Sequence, residues 1–193
     1  MTRFLNRTRS PQGFSLLETL LTLCILAIVG GMGTAQLATV RRQMQGDGAM
    51  RLVMTQLTTA REMAVTQRRN MEIKFIQPNP GFHGLQVIRH EVPVGTTTLI
   101  TVYFEGSAQF ALPSGGDTPD GFGVSAPITF PSSATTLTFS SEGTLIDTAG
   151  NPVNGSIFLA ISNVVPAQRA VTVMGSTGRI RGYKWVGGAW KRV

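Results

Sequence analysis

Thiols, histidines and aromatic side chains are scarce in this chain of 193 residues, which has one cysteine, two histidines, two tryptophans and two tyrosines. The single thiol, Cys24, excludes an intramolecular disulfide and lies in an apolar run, where it serves as a small apolar residue. His83 and His90 lack metal-ligand spacing with the cysteine or with any carboxylate cluster. Neither a G-x-S-x-G nucleophile motif nor a phosphate-binding glycine loop is present. We therefore predict no catalytic residue, no metal and no cofactor.

Charge is missing from three stretches of the sequence. Residues Thr19–Val40 carry no charge of either sign, and no lysine or arginine occurs between Arg89 and Arg169. No acid follows Asp147. The formal net charge of +7 is therefore unevenly distributed, and the C-terminal end is its basic part.

The uncharged run Thr19–Val40 is 22 residues long, and about 20 apolar residues suffice to cross a bilayer as a helix. Secretory signals have a shorter apolar region of about 7–15 residues, followed by small residues at the cleavage site, which are missing here. Three arginines, Arg3, Arg7 and Arg9, precede the run and predict a cytoplasmic N-terminus. The pattern predicts a single-pass protein with an exported C-terminal domain.

One carboxylate, Glu18, lies next to this run. A charge within a bilayer is unfavourable, but at the level of the lipid headgroups it costs little. Alternatively, the carboxylate lies deeper and needs a cationic partner, because an unpaired buried charge is strongly disfavoured. The residues alone leave both interpretations open.

The segment G-F-S-L-L-E-T-L at Gly13–Leu20 resembles the N-terminal signal of type IV pilins and pseudopilins. In that family a short basic leader ends in glycine and is followed by phenylalanine, a glutamate and a long apolar helix. The resemblance implies that a prepilin peptidase cleaves between Gly13 and Phe14 and methylates the amine of Phe14. It also implies that Glu18 pairs with the terminal amine of a neighbouring subunit during filament assembly. Loss of the leader, residues 1–13, would lower the formal charge from +7 by the three arginines to +4.

The segment 14–40 is then the transmembrane and assembly helix, and it contains glycines at 30, 31 and 33. Glycine within a helix costs roughly 1 kcal/mol relative to alanine. Close helix packing and local unwinding in a filament both remain possible reasons for these glycines. Gly46–Asp47–Gly48 is a second weak point in helical propensity.

Residues 41–70 are predicted to form an amphipathic helix, because apolar side chains recur there at helical spacing. We expect this apolar stripe to pack against the core of the exported domain. A methionine-rich ligand groove is the alternative. The stripe consists of Met50, Val53, Met54, Leu57, Ala60 and Ala64.

After Asn70 the apolar period becomes two, which is typical of strands, and M-E-I-K-F-I places Met71, Ile73 and Phe75 on one face. Further strand candidates are LQVIRH, TLITVYFE, TLTFS, IFLAI, AVTVM and RIRGYKW, with glycine- and proline-rich turns between them. We therefore predict an α+β fold: a long N-terminal helix packed on an antiparallel β domain, residues 71–193.

In the turn GGDTPDG, Asp117 and Asp120 are candidate calcium ligands, but a solvated turn is the simpler interpretation.

Three further segments resemble the GspH/FimT family of minor pseudopilins and pilins. They are AREMAVTQRRNMEIKF, then TFSSEGTL with Phe139 and Gly143, and AVTVMGSTGRIRGY, which ends in a Gly-Arg-apolar-Arg motif at Gly178–Arg181. Residues 92–135 match no family pattern. The resemblance implies a minor subunit of a type II secretion pseudopilus or a type IV pilus. Its partners would be the prepilin peptidase, the other pilins of the filament and the inner membrane.

The C-terminal segment GRIRGYKW is a candidate nucleic-acid site, because Arg179, Arg181, Tyr183 and Trp185 share one face of an unbroken strand. Arginines beside aromatic rings suit phosphate contacts and base stacking, and some FimT-like minor pilins are implicated in DNA uptake. The alternative is a solvated basic edge strand with a bulge at Gly182 that turns both aromatic rings into the core. A membrane-anchored β domain unrelated to filaments is kept only if Gly13 is not a cleavage site. The candidate DNA-binding set is Arg179, Arg181, Tyr183, Lys184, Trp185, Lys191 and Arg192.

Overall fold

The structure, a computed structural model, describes residues 13–77, 81–115, 118–131, 135–161 and 164–193. In these ranges it contains one α-helix, eleven strands and two short 3-10 turns. The helix is α1 (Leu16–Gln67), and the turns are Pro119–Gly121 and Val165–Ala167. The strands are β1 (Met71–Ile76), β2 (Gly84–His90), β3 (Thr96–Tyr103), β4 (Ala108–Phe110), β5 (Ile128–Thr129), β6 (Thr136–Phe139), β7 (Leu145–Ile146), β8 (Gly155–Ile161), β9 (Arg169–Met174), β10 (Arg179–Val186) and β11 (Ala189–Arg192).

The two ends of α1 are capped. At the start, the side-chain oxygen of Ser15 accepts the backbone N–H of Leu17 at 3.3 Å, as an N-cap serine does. At the end, Arg68 has a left-handed backbone with φ 51°, and the N–H of Arg69 bonds to the carbonyl of Ala64 at 3.2 Å. This is the hydrogen bond of a Schellman C-cap, and it stops the helix before β1.

The helix is continuous through the glycines at 30, 31 and 33 and through Gly46–Asp47–Gly48. At the second of these sites, a Cβ on Gly46 would lie 2.7 Å from the carbonyl oxygen of Ala167, so the missing side chain permits close packing. The chain divides into two compact units, one up to Val40 and one formed by Arg41–Val193.

The strands form two antiparallel sheets. The first has the order β3-β2-β1-β6-β7, and the second has the order β11-β10-β9-β8-β4, with β5 also paired to β8. Strands β8 and β9 are buried on both faces, because α1 covers one face and the segment around Val124 packs on the other. The second sheet thus has an apolar cluster on each side.

The main core confirms the predicted apolar stripe of the helix and the inward face of β1. Leu57, Ala60 and Ala64 are fully buried, and Met71 and Ile73 are buried with them in one hydrophobic cluster. Both sheets contribute to this cluster, which explains why residues 41–67 remain helical despite two glycines. The stripe methionines pack in the core, with Met50 buried and Met54 partly buried, rather than lining a ligand groove.

The predicted α+β fold is confirmed, and seven strand candidates correspond to β1, β2, β3, β6, β8, β9 and β10. The alternative in which the basic strand lies at a sheet edge, with a bulge at Gly182, is wrong. Strand β11 (Ala189–Arg192) pairs with β10 and makes it an inner strand. The hairpin turns at Gly187–Gly188, both with positive φ, which glycine adopts without strain.

Candidate functional site

The predicted cleavage position lies just before α1 begins. Gly13 and Phe14 are outside the helix, Phe14 is 81% exposed, and a Cβ on Gly13 would meet no atom within 4 Å. The helix therefore begins after the predicted cleavage position. The leader lies outside the described residues, apart from Gly13.

Glu18 lies in the first turn of α1, three positions after the N-cap Ser15. This is the spacing S-x-x-E of a capping box, in which the serine and glutamate side chains accept hydrogen bonds from free backbone N–H groups at a helix start. A carboxylate there is also favoured by the helix dipole. The position and spacing of Glu18 are thus compatible with a helix cap, and its backbone N–H bonds to the carbonyl of Ser15 at 3.0 Å.

The apolar half of α1 is exposed in this structure. Phe14, Leu16 and Leu17 are each at least 75% exposed, and the large apolar side chains from Leu20 to Val29 are more than half exposed. By length and composition, α1 is the one helix among the described residues that could cross a membrane. An apolar surface of this extent on a helix requires lipid or other helices to cover it.

The basic strand β10 is inserted between β9 and β11 without a register shift at Gly182, so its side chains alternate regularly. A Cβ on Gly182 would contact the sulfur atoms of Met50 and Met54 of α1, so Gly182 faces the helix. Its neighbours Arg181 and Tyr183 therefore face the other way. We call this side of the second sheet the outer face. It is defined by Phe158, Ala170, Thr172, Arg181, Tyr183 and Trp190.

The structure divides the candidate DNA-binding set between the two sides of the sheet. Lys184 pairs with Lys191 across β10 and β11, and both lie on the α1 side, whereas Tyr183 pairs with Arg192 on the outer face. The outer face thus holds the members Arg179, Arg181, Tyr183, Trp185 and Arg192, with Trp190 opposite Trp185.

The outer-face members differ in accessibility. Arg179 and Arg192 are exposed, and neither has a carboxylate partner within 4 Å among the described residues. Trp185 and Trp190 form an edge-to-face pair with ring centroids 5.1 Å apart and are partly exposed. Tyr183 is buried with Phe158 in the outer apolar cluster, so its ring has a packing role.

Arg181 is held by an acid from a distant part of the chain. Its Nη1 lies 2.9 Å from Oδ1 of Asp120, and the hydroxyl of Thr172 donates to Oδ2 of Asp120 at 2.7 Å. The exposed fractions of the Arg181 and Asp120 side chains are 21% and 19%. Asp120 lies in the turn Pro119–Gly121 with φ 59°, a left-handed conformation that aspartate tolerates better than most residues.

The ionised form of Asp120 is favoured in this cluster. Burial would raise the pKa of Asp120, but hydrogen bonds from Thr172 and Tyr183 and the charge of Arg181 outweigh it and lower the pKa. The pKa of Tyr183 is raised, mainly by burial and then by its bond to Asp120. Asp120 is therefore a charged counter-ion at neutral pH.

The turn is solvent-exposed at Asp120 and Gly121, as expected, but the carboxylate of Asp120 is largely covered because it contacts Arg181 and Thr172. The other candidate ligand of that turn, Asp117, lies outside the described residues. Sequence analysis could not find the Asp120–Arg181 pair, since 61 residues separate the two and only a generic turn pattern marks Asp120.

A second arginine of the basic end is also engaged. Arg169 is buried, with Nε 2.6 Å from Oδ1 of Asp47 on α1, and it also donates to the carbonyls of Pro166, Gln168 and Gln43. This arrangement ties α1 to β9 and removes Arg169 from the accessible cations.

Gly178, the glycine of the Gly-Arg-apolar-Arg motif, lies against Gly143 and against Arg61 of α1. Arg61 donates from Nε to the carbonyl of Gly143 at 3.0 Å. A Cβ on Gly178 would collide with that same carbonyl and with the Arg61 side chain. Gly178 thus has a packing role beside the two arginines that follow it.

Both histidines have partners within the β domain. His83 accepts the N–H of Phe110 at 3.3 Å, and burial lowers its pKa. His90 lies 3.0 Å from a carboxylate oxygen of Glu72 on the adjacent strand. Among the described residues, no three histidine, cysteine or acidic side chains cluster as metal ligands would.

No family model and no curated protein matches the chain. Among solved structures, the crystal structure of the type IV minor pilin FimU from Pseudomonas aeruginosa strain PAO1 is similar to it. The identity is 17%, the match covers 75% of this chain and 91% of that chain, and the TM-score is 0.49.

Proposed function

We propose that this protein is a pilin-like filament subunit: a single-pass inner-membrane precursor, cleaved after Gly13 and polymerised through the apolar half of α1. The observation that carries the proposal is the exposed apolar half of α1, which begins within the G-F-S-L-L-E segment. Such a helix is stable in a bilayer and equally in a bundle of identical helices. A subunit that passes from membrane to filament needs both environments.

The second unit suits the exported part of such a subunit. Arg41–Val193 has its own hydrophobic core, formed by the rest of α1 and two sheets. The basic leader predicts that this unit lies on the periplasmic side. We assign the protein to the minor pseudopilins or minor pilins, of a type II secretion pseudopilus or a type IV pilus, on the resemblance of its motifs.

Intact-mass analysis of the protein extracted from membranes tests the proposal. In cells with active prepilin peptidase, we expect a chain that begins at Phe14 and carries one added methyl group. A Gly13→Trp variant should remain uncleaved, because the bulky side chain blocks the peptidase site. A wild-type chain that still begins at Met1 would contradict the pilin-like role and favour an anchored β domain unrelated to filaments.

DNA binding for uptake is a second candidate function. It is favoured by the two exposed arginines, Arg179 and Arg192, on the same side of the sheet as the partly exposed Trp185. Arg192 pairs with Tyr183, which is four residues from Arg179 along β10. The two arginines are therefore separated by about 13 Å along the strand direction, which lets them contact phosphates that are not adjacent on the strand. No acid follows Asp147 to oppose them in sequence.

Salt-dependent titration of single-stranded DNA with the full-length protein in detergent tests this candidate. The plot of log affinity against log salt should become shallower by about 0.7 for each of Arg179→Gln and Arg192→Gln, because each removes one phosphate contact. Arg89→Gln is the matched control, since Arg89 already pairs with Glu91 at 2.7 Å. Equal slopes in all three variants would leave the filament role without DNA binding.

A further inference from the structure

On the outer face, the cation of Arg181 is already paired with the carboxylate of Asp120. Arg181 shares this face with the exposed Arg179, two residues earlier on β10 and about 7 Å away along the strand. Between the two exposed arginines, Arg179 and Arg192, the guanidinium of Arg181 already has an anionic partner.

The pairing with Asp120 engages one nitrogen of the guanidinium, Nη1, which contacts one carboxylate oxygen. Thr172 donates to the second oxygen of Asp120, and Tyr183 interacts with both Asp120 and Arg181. The Nε atom of Arg181 is buried and has no hydrogen-bond partner among the described residues. Arginine binds carboxylate and phosphate most strongly through two parallel N–H bonds, and Asp120 does not provide that geometry.

The position of Asp120 makes exchange with another anion physically reasonable. The carboxylate is supplied by a short turn, Pro119–Gly121, rather than by a strand of the sheet. About a fifth of each side chain in the pair remains accessible, so a phosphate can approach at the rim. Because the sites of Asp120 and an incoming phosphate on the guanidinium overlap, the two anions compete for it.

We propose that Asp120 is an intramolecular competitor of polyanions, which withholds Arg181 from phosphate and thereby sets a low affinity of the outer face for single-stranded nucleic acid. The inference rests on the second candidate function and names its regulation. In the wild-type protein Arg179 and Arg192 make the phosphate contacts, and Arg181 adds a contact only when Asp120 is neutralised or displaced.

A double-mutant cycle on the full-length protein in detergent tests this, with a fluorescent single-stranded oligonucleotide titrated at several salt concentrations. Asp120→Asn should tighten binding about two- to fivefold, the range of one exposed ion pair, and steepen the salt slope by about 0.7. Arg181→Gln should change wild-type binding less than twofold. In the double variant, the gain from Asp120→Asn should vanish.

Glu105→Gln is the matched control, because it also removes one exposed acid but lies outside the outer face, after β3. Asp120→Gly is a second variant, because glycine also adopts the left-handed backbone of this position. It replaces Asp120→Asn in the test if thermal melting shows that Asp120→Asn has a folding defect. The proposal is overturned if Asp120→Asn still tightens oligonucleotide binding in the presence of Arg181→Gln, or if Glu105→Gln tightens binding equally. Either result leaves DNA binding by the protein intact. Folded variants that all fail to bind at low salt overturn both.

Discussion

At the scale of single residues, Gly143 and Gly178 show how two turns are fixed to the helix. Both have positive φ, and both lie against Arg61, whose Nε donates to the carbonyl of Gly143. A side chain on Gly178 would occupy the space of that hydrogen bond. The glycine ahead of Arg179 is therefore required by packing, whatever the arginines bind.

We expect Gly178→Ala to destabilise the protein more than Gly187→Ala does. The two glycines have nearly the same φ, 61° and 62°, but a Cβ on Gly187 meets no atom within 4 Å. Backbone strain alone should cost about 1–2 kcal/mol in each variant. The collision with Arg61 and Gly143 adds to it only in Gly178→Ala, which thermal melting in detergent would reveal as the lower melting temperature. Equal melting temperatures would show that the Arg61 contact has no energetic weight.

At the scale of elements, the long amphipathic and alternating segments could be predicted from sequence because their periodicity repeats over several residues. The helix stripe around Leu57 and the inward face of β1 follow this rule. Strands of two or three residues, such as β4, β5 and β7, contain too few positions for a period to be visible. Strand β11 has four residues, but its two apolar residues, Ala189 and Trp190, are adjacent, so no alternation is visible. Their pairing is decided by neighbours that the fold brings to them.

The missed strand β11 also changed the interpretation of the basic end. It placed β10 inside the sheet and divided the candidate cations between two sides. The partners Asp120 and Asp47, both distant in sequence, neutralise Arg181 and Arg169. A net charge read from sequence therefore overstated the cations available to a ligand, since contacts between distant residues cannot be inferred from composition.

At the scale of the whole molecule, the two units differ in what they need for stability. Arg41–Val193 buries its own apolar residues, so it requires no partner to complete its core. In the apolar half of α1, the residues of the candidate membrane span whose burial the structure describes are not buried. Its surroundings, lipid or neighbouring helices, must supply that burial, and Glu18 lies at its start.

Substitutions at Glu18 separate two proposed roles, as a helix cap and as the partner of a neighbour's terminal amine. Glutamine can replace glutamate in a capping box but carries no charge. If the ion pair drives assembly, Glu18→Gln and Glu18→Ala should both lower incorporation into sheared filaments by at least about tenfold, because a buried cation loses its partner. Ser15→Ala, which weakens the cap and keeps the charge, should incorporate normally.

The measurement is the ratio of filament to membrane protein, made in cells that express the other filament subunits, after intact mass has shown normal cleavage of each variant. The β domain should melt at the wild-type temperature in all three, since its core cluster lies within the unit Arg41–Val193, to which Glu18 does not belong. The opposite pattern, with Glu18→Gln incorporated normally but Glu18→Ala and Ser15→Ala both excluded, would assign Glu18 to the helix cap alone. Assembly would then depend on apolar packing of α1 without an ion pair to set its register.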